Sequence, residues 1–391
     1  MSSKKEVIPV IEEDKKVPES YSFTYFWIDG FGGLRSANFI SKDKEPSIQR
    51  FDGSATKQAA TDNSDLFLVP IKTYGKTSYW YSGNGGYVLC EVQTADGTPH
   101  LSNARADLKK FISANPSLNQ VEVAFEQEFV LIDPDTRQPY AWPTNKNEKG
   151  EVTTVFPGPQ GRYYGGHGDF VRGRDIVDIF VNDSNFDGAG IESYMPSIML
   201  SQWSFVTTPN SLLSACDDLI FRRFLLERTA ESSSKPRAVV SYVPKSFPGM
   251  EWNGSACNFR FYLPNYGPNS SADPSVAKGI CEILADDHRE HMSAYGSGNE
   301  QRLVGKSNGV SDYNKFSWGF GDRTASVCVP TIPTKVDQAH RFMYIEDRRP
   351  GANVDPYLGI LAASRSLVKA IAVKPSKSDK KAESFEPKLV N

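Results

Sequence analysis

The stretch FEQEFVLID, residues 125–133, constrains the fold more than any other part of the chain. Its length and its apolar residues suit a strand, and strand side chains two apart project from the same face. Glu126 and Glu128 therefore lie side by side, backed by an apolar face. Two like charges on a half-buried sheet are costly unless a cation or an acid–base task employs them. The chain must build a sheet with one face in a core and the other around a charged site.

Composition leaves room for that. The 391 residues are 39% hydrophobic and 23% charged, ordinary for a soluble globular protein large enough for two domains. Lys and Arg number 44 against 47 Asp and Glu, a net charge of -3, so no global field draws the chain to nucleic acid or to an acidic membrane, and neither is expected as a partner. Cys90, Cys216, Cys257, Cys281 and Cys328 form no CxxC or zinc-type spacing, which suits a reducing compartment. The first twenty residues hold acidic side chains and no apolar core of signal-peptide length, and no later stretch approaches a membrane span. A cytoplasmic location is expected, with organellar import of a trimmed precursor as the alternative.

Residues 1–20 and the Lys- and Ser-rich 373–391 bury too little apolar surface to offset the entropy of ordering and are expected to be flexible tails. Between 21 and 110, short β-rich runs (YSFTYFWID, DLFLVPI, YVLCEV) close on a helical NARADLKKFI, which predicts a small α+β domain. From 111 to 372 the pattern predicts a larger, mostly antiparallel α+β domain: a strand at VEVAFEQEFVLI, a helix at ACDDLIFRRFLLERTAESS, a strand at RAVVSYVP, and one long helix at DPSVAKGICEILADDHREHMSAY capped by Asp273. The polar PTNKNEKGEVTTV, 143–155, reads as a surface excursion.

Several blocks stand in one order: YFWIDGFGGLR (25–35), FDGSAT (51–56), DLFLVP (65–70), FEQEF (125–129), FPGPQGRYYGG (156–166), GRDIVD (173–178), QWSF (202–205), WNGSAC (252–257) and EDRRPGANVDPY (346–357). Together they resemble glutamine synthetase of the eukaryotic type over roughly residues 22–370. The resemblance implies a small β-grasp-like N-terminal domain and a large domain whose curved antiparallel sheet holds the site. It implies rings of subunits, pentamers stacked in pairs into a decamer, with the FDGSAT loop and its Asp52 reaching into a neighbour's ammonium pocket. The chemistry it implies is phosphorylation of glutamate by ATP, followed by displacement of the phosphate by ammonia, with Mg²⁺ or Mn²⁺ ions screening the charges.

Phosphoryl transfer between anions needs such cations. Glu126, Glu128 and Glu346 match three metal-binding glutamates of the family. Two further glutamates of the pattern are here Ser197 and Ser204, and the family histidine is Asn258, so three of six ligand side chains are neutral, weak donors. The catalytic glutamate of the mobile flap is replaced by Ser307 or Asn308 in VGKSNGVSDYNKF, and neither serves as a base near neutral pH. Cys328 stands where the pattern has an ATP-facing arginine. Arg302, Arg323 and Arg348 match arginines that hold substrate carboxylate and phosphates, and Asn253 and Gly254 belong to the matching substrate loop.

Without their cations, three carboxylates about 5 Å apart repel by roughly 3 kcal/mol per pair at an effective dielectric near 20. Arg260, two positions beyond Asn258 and hence on the same strand face, is the first expectation for a side-chain cation in the vacated space, and Lys306 the second; protonation of one glutamate is the other outlet. His288 and His291 are expected to be structural, His167 a loop residue, and GFGG a turn. The leading expectation is a family member without ligase activity, with no cofactor requirement, acting as a structural or regulatory subunit in its own ring, with an active paralogue, or in a larger complex. The alternatives are an active ligase with an atypical metal site, requiring ATP and Mg²⁺ or Mn²⁺, and a sensor that binds nucleotide or glutamate without turnover.

Overall fold

The computed structural model describes residues 20–75, 84–185, 190–232, 237–247, 249, 251–270, 272–305, 309–333 and 339–375. The expected tails, apart from Ser20 and 373–375, lie outside the described residues, as do Lys306, Ser307 and Asn308.

The class is mixed α and β, built on two main sheets. The first contains β1 (Tyr21–Ile28), β2 (Leu34–Ser41), β3 (Gln49–Asp52), β4 (Asp65–Gly75) and β5 (Asn84–Gln93), in the order β2-β1-β5-β4-β3. Here β1 and β5 run parallel and the other neighbours antiparallel. Helix α1 (Ala104–Ala114) follows, with Asn103 capping its N-terminus through Ala106 N–H.

The second sheet is organised around β6 (Glu122–Ile132), the strand that carries FEQEFVLI. Ahead of its partners come the exposed hairpin β7 (Thr144–Lys146) and β8 (Val152–Thr154), which is the form the polar excursion takes, and α2 (Arg174–Asn185). Strands β9 (Ile191–Pro196), β10 (Gln202–Thr207) and β11 (Asn210–Ser211) lead into α3 (Leu212–Ser232), and β12 (Val239–Ser241) and β13 (Cys257–Tyr262) return to the sheet. After α4 (Pro274–Asp286) and α5 (His288–Ala294), the strands β14 (Trp318–Phe320), β15 (Val327–Val329) and β16 (Ile345–Asp347) extend the other edge, and α6 (Pro356–Ala370) closes the described chain. Among the described residues the path is β14-β15-β16-β13-β6-β10-β9, with β11 and β12 also paired to β6. All pairs are antiparallel except β14 with β15, a parallel exception to the expected antiparallel sheet. The single helix expected over 273–295 is two: Asp287 leaves helical geometry (φ -96°, ψ 15°) and α5 starts afresh at His288.

Period-two alternation divides the two faces of the second sheet. Val123, Phe125, Phe129 and Leu131 of β6, Trp203 and Phe205 of β10, Phe259 and Phe261 of β13, and Ile345 of β16 are buried in the main core, against Leu219, Leu226, Ile280 and Ile360 of the helices. Phe26, Tyr74 and Tyr87 of the first sheet join the same core by packing their rings around Phe221 and Phe224 of α3. Gln127, between the two glutamates, is on the helix side and accepts from Arg223 Nε and Nη2 at 2.9 and 2.6 Å. Glu126 and Glu128 are thereby left to the opposite face.

Candidate functional site

On that opposite face the strand register assembles a row of polar residues. Ser204 of β10 lies across from Glu128, Asn258 of β13 across from Glu126, and Glu346 of β16 across from both Arg260 of β13 and Cys328 of β15. A cavity of about 560 Å³ opens above the row, and its walls include Glu126, Glu128, Ser197, Ser204, Asn258 and Asn253 together with Arg302, Arg323 and Arg348.

Every carboxylate in the row is met by protein. Arg260 donates from Nη2 to Glu126 Oε2 at 2.5 Å and from Nε to Glu346 Oε1 at 3.2 Å, so one edge of its guanidinium bridges β6 and β16. Arg348 Nη1 donates to the other Glu346 oxygen at 3.0 Å. Glu128 is held differently: Ser197 Oγ donates to Oε1 at 2.7 Å and the Ala256 N–H to Oε2 at 2.8 Å. Arg260, the first expectation for a side-chain cation in this space, thus meets two of the three glutamates, Glu126 and Glu346, while Glu128 is held by Ser197 and Ala256. The reason is topological: β13 runs between β6 and β16, so a side chain two residues beyond Asn258 faces Glu346 directly and reaches Glu126 diagonally.

The electrostatics follow this division. Burial raises the Glu128 carboxyl above its ordinary value, against the pull of the Ser197 and Ala256 hydrogen bonds. Burial also pushes Glu346 upward, but Arg348 and then Arg260 outweigh it and hold the carboxyl below its ordinary value. Arg260 is kept charged, since Glu126 and Glu346 outweigh the cost of its burial. Its guanidinium carbon sits 5.3 Å from the Tyr344 ring centroid, which fixes its orientation.

The arginines matched to ligand binding have separate settings. Arg302 is buried, donates to Asn299 Oδ1 and to the carbonyls of Arg348, Arg349 and Pro350, and is pushed down to about 10 by burial, with Glu128 opposing. Arg348 is tied to Glu346, and Arg323 is exposed at the cavity wall. Asn253 exchanges two hydrogen bonds with Gln160 at 2.8 and 2.9 Å. Gly254 has φ +82°, and an added Cβ would lie 2.1 Å from Pro244 O, so only glycine fits there. Asp52 does not line the cavity; it caps the turn at Gly53 by accepting from Ser54 N–H and Oγ. Cys328 is buried, across the strand pair from Glu346. His288 and His291 accept from Arg349 through Nδ1 at 2.9 and 3.0 Å, in a buried cluster with Asp347.

A divalent ion does not fit this donor set. Both oxygens of Glu128 and of Glu346, and Oε2 of Glu126, already accept hydrogen bonds, while Ser204 and Asn258 offer neutral oxygens. Among the described residues no group of three or more His, Cys, Asp or Glu side chains is placed to hold a metal.

Sequence reasoning missed two partners. Ser197 reads as a lost ligand, yet its hydroxyl makes it a donor to the one glutamate that Arg260 does not reach. The pairing of Arg348 with Glu346 was signalled by their i, i+2 spacing where the chain leaves β16.

No family model matches the chain. It is 35% identical over 345 residues to a glutamine synthetase nodule isozyme of Medicago sativa, covering 85% of this chain and 90% of that protein. It is 35% identical over 350 residues to a glutamine synthetase cytosolic isozyme of Pinus sylvestris, with 88% and 92% covered, and 36% identical over 346 residues to a glutamine synthetase of Colletotrichum gloeosporioides, with 85% and 88% covered.

Proposed function

Because the chain belongs to the glutamine synthetase family, we propose that it is a member that has given up ATP-dependent joining of glutamate and ammonia and serves as a structural or regulatory subunit. The observation that carries this reading is the Arg260 bridge between Glu126 and Glu346. Transfer of a phosphoryl group between anions requires several positive charges free to meet phosphate oxygens. One guanidinium already bound to two carboxylates has little charge to offer them. Neutral Ser197, Ser204 and Asn258, and Cys328 in place of an arginine, remove further groups the chemistry uses.

Phosphate release from ATP, with glutamate, ammonia and Mg²⁺ or Mn²⁺ supplied, tests the reading beside an ordinary family member. Turnover comparable to that enzyme overturns it and establishes instead an active ligase with an atypical metal site. A second reading, ligand binding without turnover, is favoured by Arg302, Arg323 and Arg348 around one cavity. It predicts saturable binding of nucleotide or glutamate with no phosphate release.

On this proposal the partners are copies of the chain in a ring, up to a decamer, an active paralogue, or a larger complex. Native mass measurement, alone and after co-expression with an active member, tests them. A cytoplasmic location is part of the same proposal. Among the described residues no helix is long and apolar enough to cross a membrane.

A further inference from the structure

We propose that Arg260 is a tethered stand-in for a divalent cation, and that its guanidinium holds closed a latent ion site made by Glu126, Glu346 and the side-chain oxygen of Asn258. The inference deepens the reading above and rests on it.

Geometry supplies the first support. Carboxylates on two strands that do not pair with each other are drawn to one cation between them, through contacts of 2.5 and 3.2 Å from the same guanidinium edge. The bridge is well enclosed: the side chains of Arg260, Glu126 and Glu346 are 17%, 23% and 4% exposed.

A second observation is independent of the acidic residues. Asn258 is 4% exposed, lines the cavity, and its Oδ1 is buried without a hydrogen-bond partner. Directly across the strand pair, Glu126 Oε1 accepts no hydrogen bond from the described residues. Register partners of this kind have Cβ atoms about 4.5–5.5 Å apart. Two acceptors on register partners thus stand beside the bridge with no donor of their own among the described residues, an arrangement that suits a cation and is costly without one.

Competition explains why the site is latent. A cation on a side chain that is itself part of the site acts at an effective concentration of about millimolar or above, and it is removed neither by dilution nor by a chelator. While Arg260 holds Glu126 Oε2 and Glu346 Oε1, a free ion meets only one carboxylate oxygen and a neutral amide. Remove the guanidinium and three oxygen-bearing side chains are released together, the ligand type that Mn²⁺ and Mg²⁺ take.

The test is Mn²⁺ binding, followed by the electron paramagnetic resonance signal of free Mn²⁺, on full-length wild type, Arg260→Lys, Arg260→Asn and the double variant Arg260→Asn with Glu126→Gln. Arg260→Asn is expected to bind one Mn²⁺ at least about tenfold more tightly than wild type, a difference of about 1.4 kcal/mol. Arg260→Lys keeps the tethered charge and is expected to behave as wild type, and the double variant to lose the gain. Wild-type affinity as high as that of Arg260→Asn overturns the proposal, as does an Arg260→Asn protein no better than wild type. Should Arg260→Asn fold only with an ion present, its recovery on refolding with Mn²⁺ against chelator replaces the titration. Recovery with Mn²⁺ alone supports the latent site, and failure in both conditions counts against it. The two readings separate cleanly: phosphate release by wild type overturns the loss of ligase activity, whereas an inactive wild type with a metal-blind Arg260→Asn overturns only the tethered cation.

Discussion

Glu346→Gln and Glu126→Gln remove one carboxylate each from the same arginine, and the structure predicts very different costs. Glu346 is 4% exposed and carries two guanidiniums, Arg260 at 3.2 Å and Arg348 at 3.0 Å. Glu126 is 23% exposed and carries one, at 2.5 Å. A glutamine at 346 leaves two enclosed arginines without their shared counter-ion and turns an amide N–H₂ toward one of them, donor against donor. Removing one partner of a buried pair costs about 3–5 kcal/mol. A charged hydrogen bond with partial access to water is worth roughly 1.5–3 kcal/mol, and the value for Glu126 falls at the lower end. Urea unfolding should therefore show Glu346→Gln losing about 3 kcal/mol or more and Glu126→Gln about half of that, with unchanged slope. Equal losses, or a larger loss for Glu126→Gln, refute the division of charge described above. The acid limb gives a second check. A carboxyl whose folded value is depressed contributes stability above its unfolded value and loses it as pH falls through the folded one. Glu346→Gln should flatten that loss.

Two further predictions concern groups around the site. His291 is pushed down from 6.5 to about 4, by burial and then Arg349, while Asp347, Asp287 and Glu290 pull the other way. Below pH 6.5 the unfolded chain takes up a proton that the native one refuses until about pH 4. Its contribution is thus complete at neutral pH and falls by about 3 kcal/mol on acidification across that window, and unchanged urea midpoints between pH 7 and pH 4.5 would contradict this. Ser197→Ala deletes the 2.7 Å hydrogen bond to buried Glu128. It should cost about 1.5–2 kcal/mol and raise the Glu128 titration seen by carbon-13 NMR, while Ser197→Thr keeps both near wild type.

Much of this site was legible along β6 alone. The alternation that sends Phe125, Gln127 and Phe129 toward the helices fixes Glu126 and Glu128 on the other face, and the i+2 step from Asn258 puts Arg260 with them. What a local pattern does not contain is strand order. That β13 separates β6 from β16 decides that Arg260 bridges Glu126 to Glu346 and leaves Glu128 to Ser197, and this order comes from pairings across 86 and 134 residues of chain. The break at Asp287 was hidden for a similar reason. Its apolar period continues into α5, but the positions of His288 and His291 are tied to the buried Arg349, a residue of the distant β16 edge.

An anomalous-scattering map from crystals grown with Mn²⁺ and an ATP analogue tests the central claim most directly. The account predicts Arg260 in contact with Glu126 and Glu346 and no manganese peak between them. A pair of well-coordinated manganese ions beside the nucleotide, with Arg260 swung clear of both carboxylates, would contradict it.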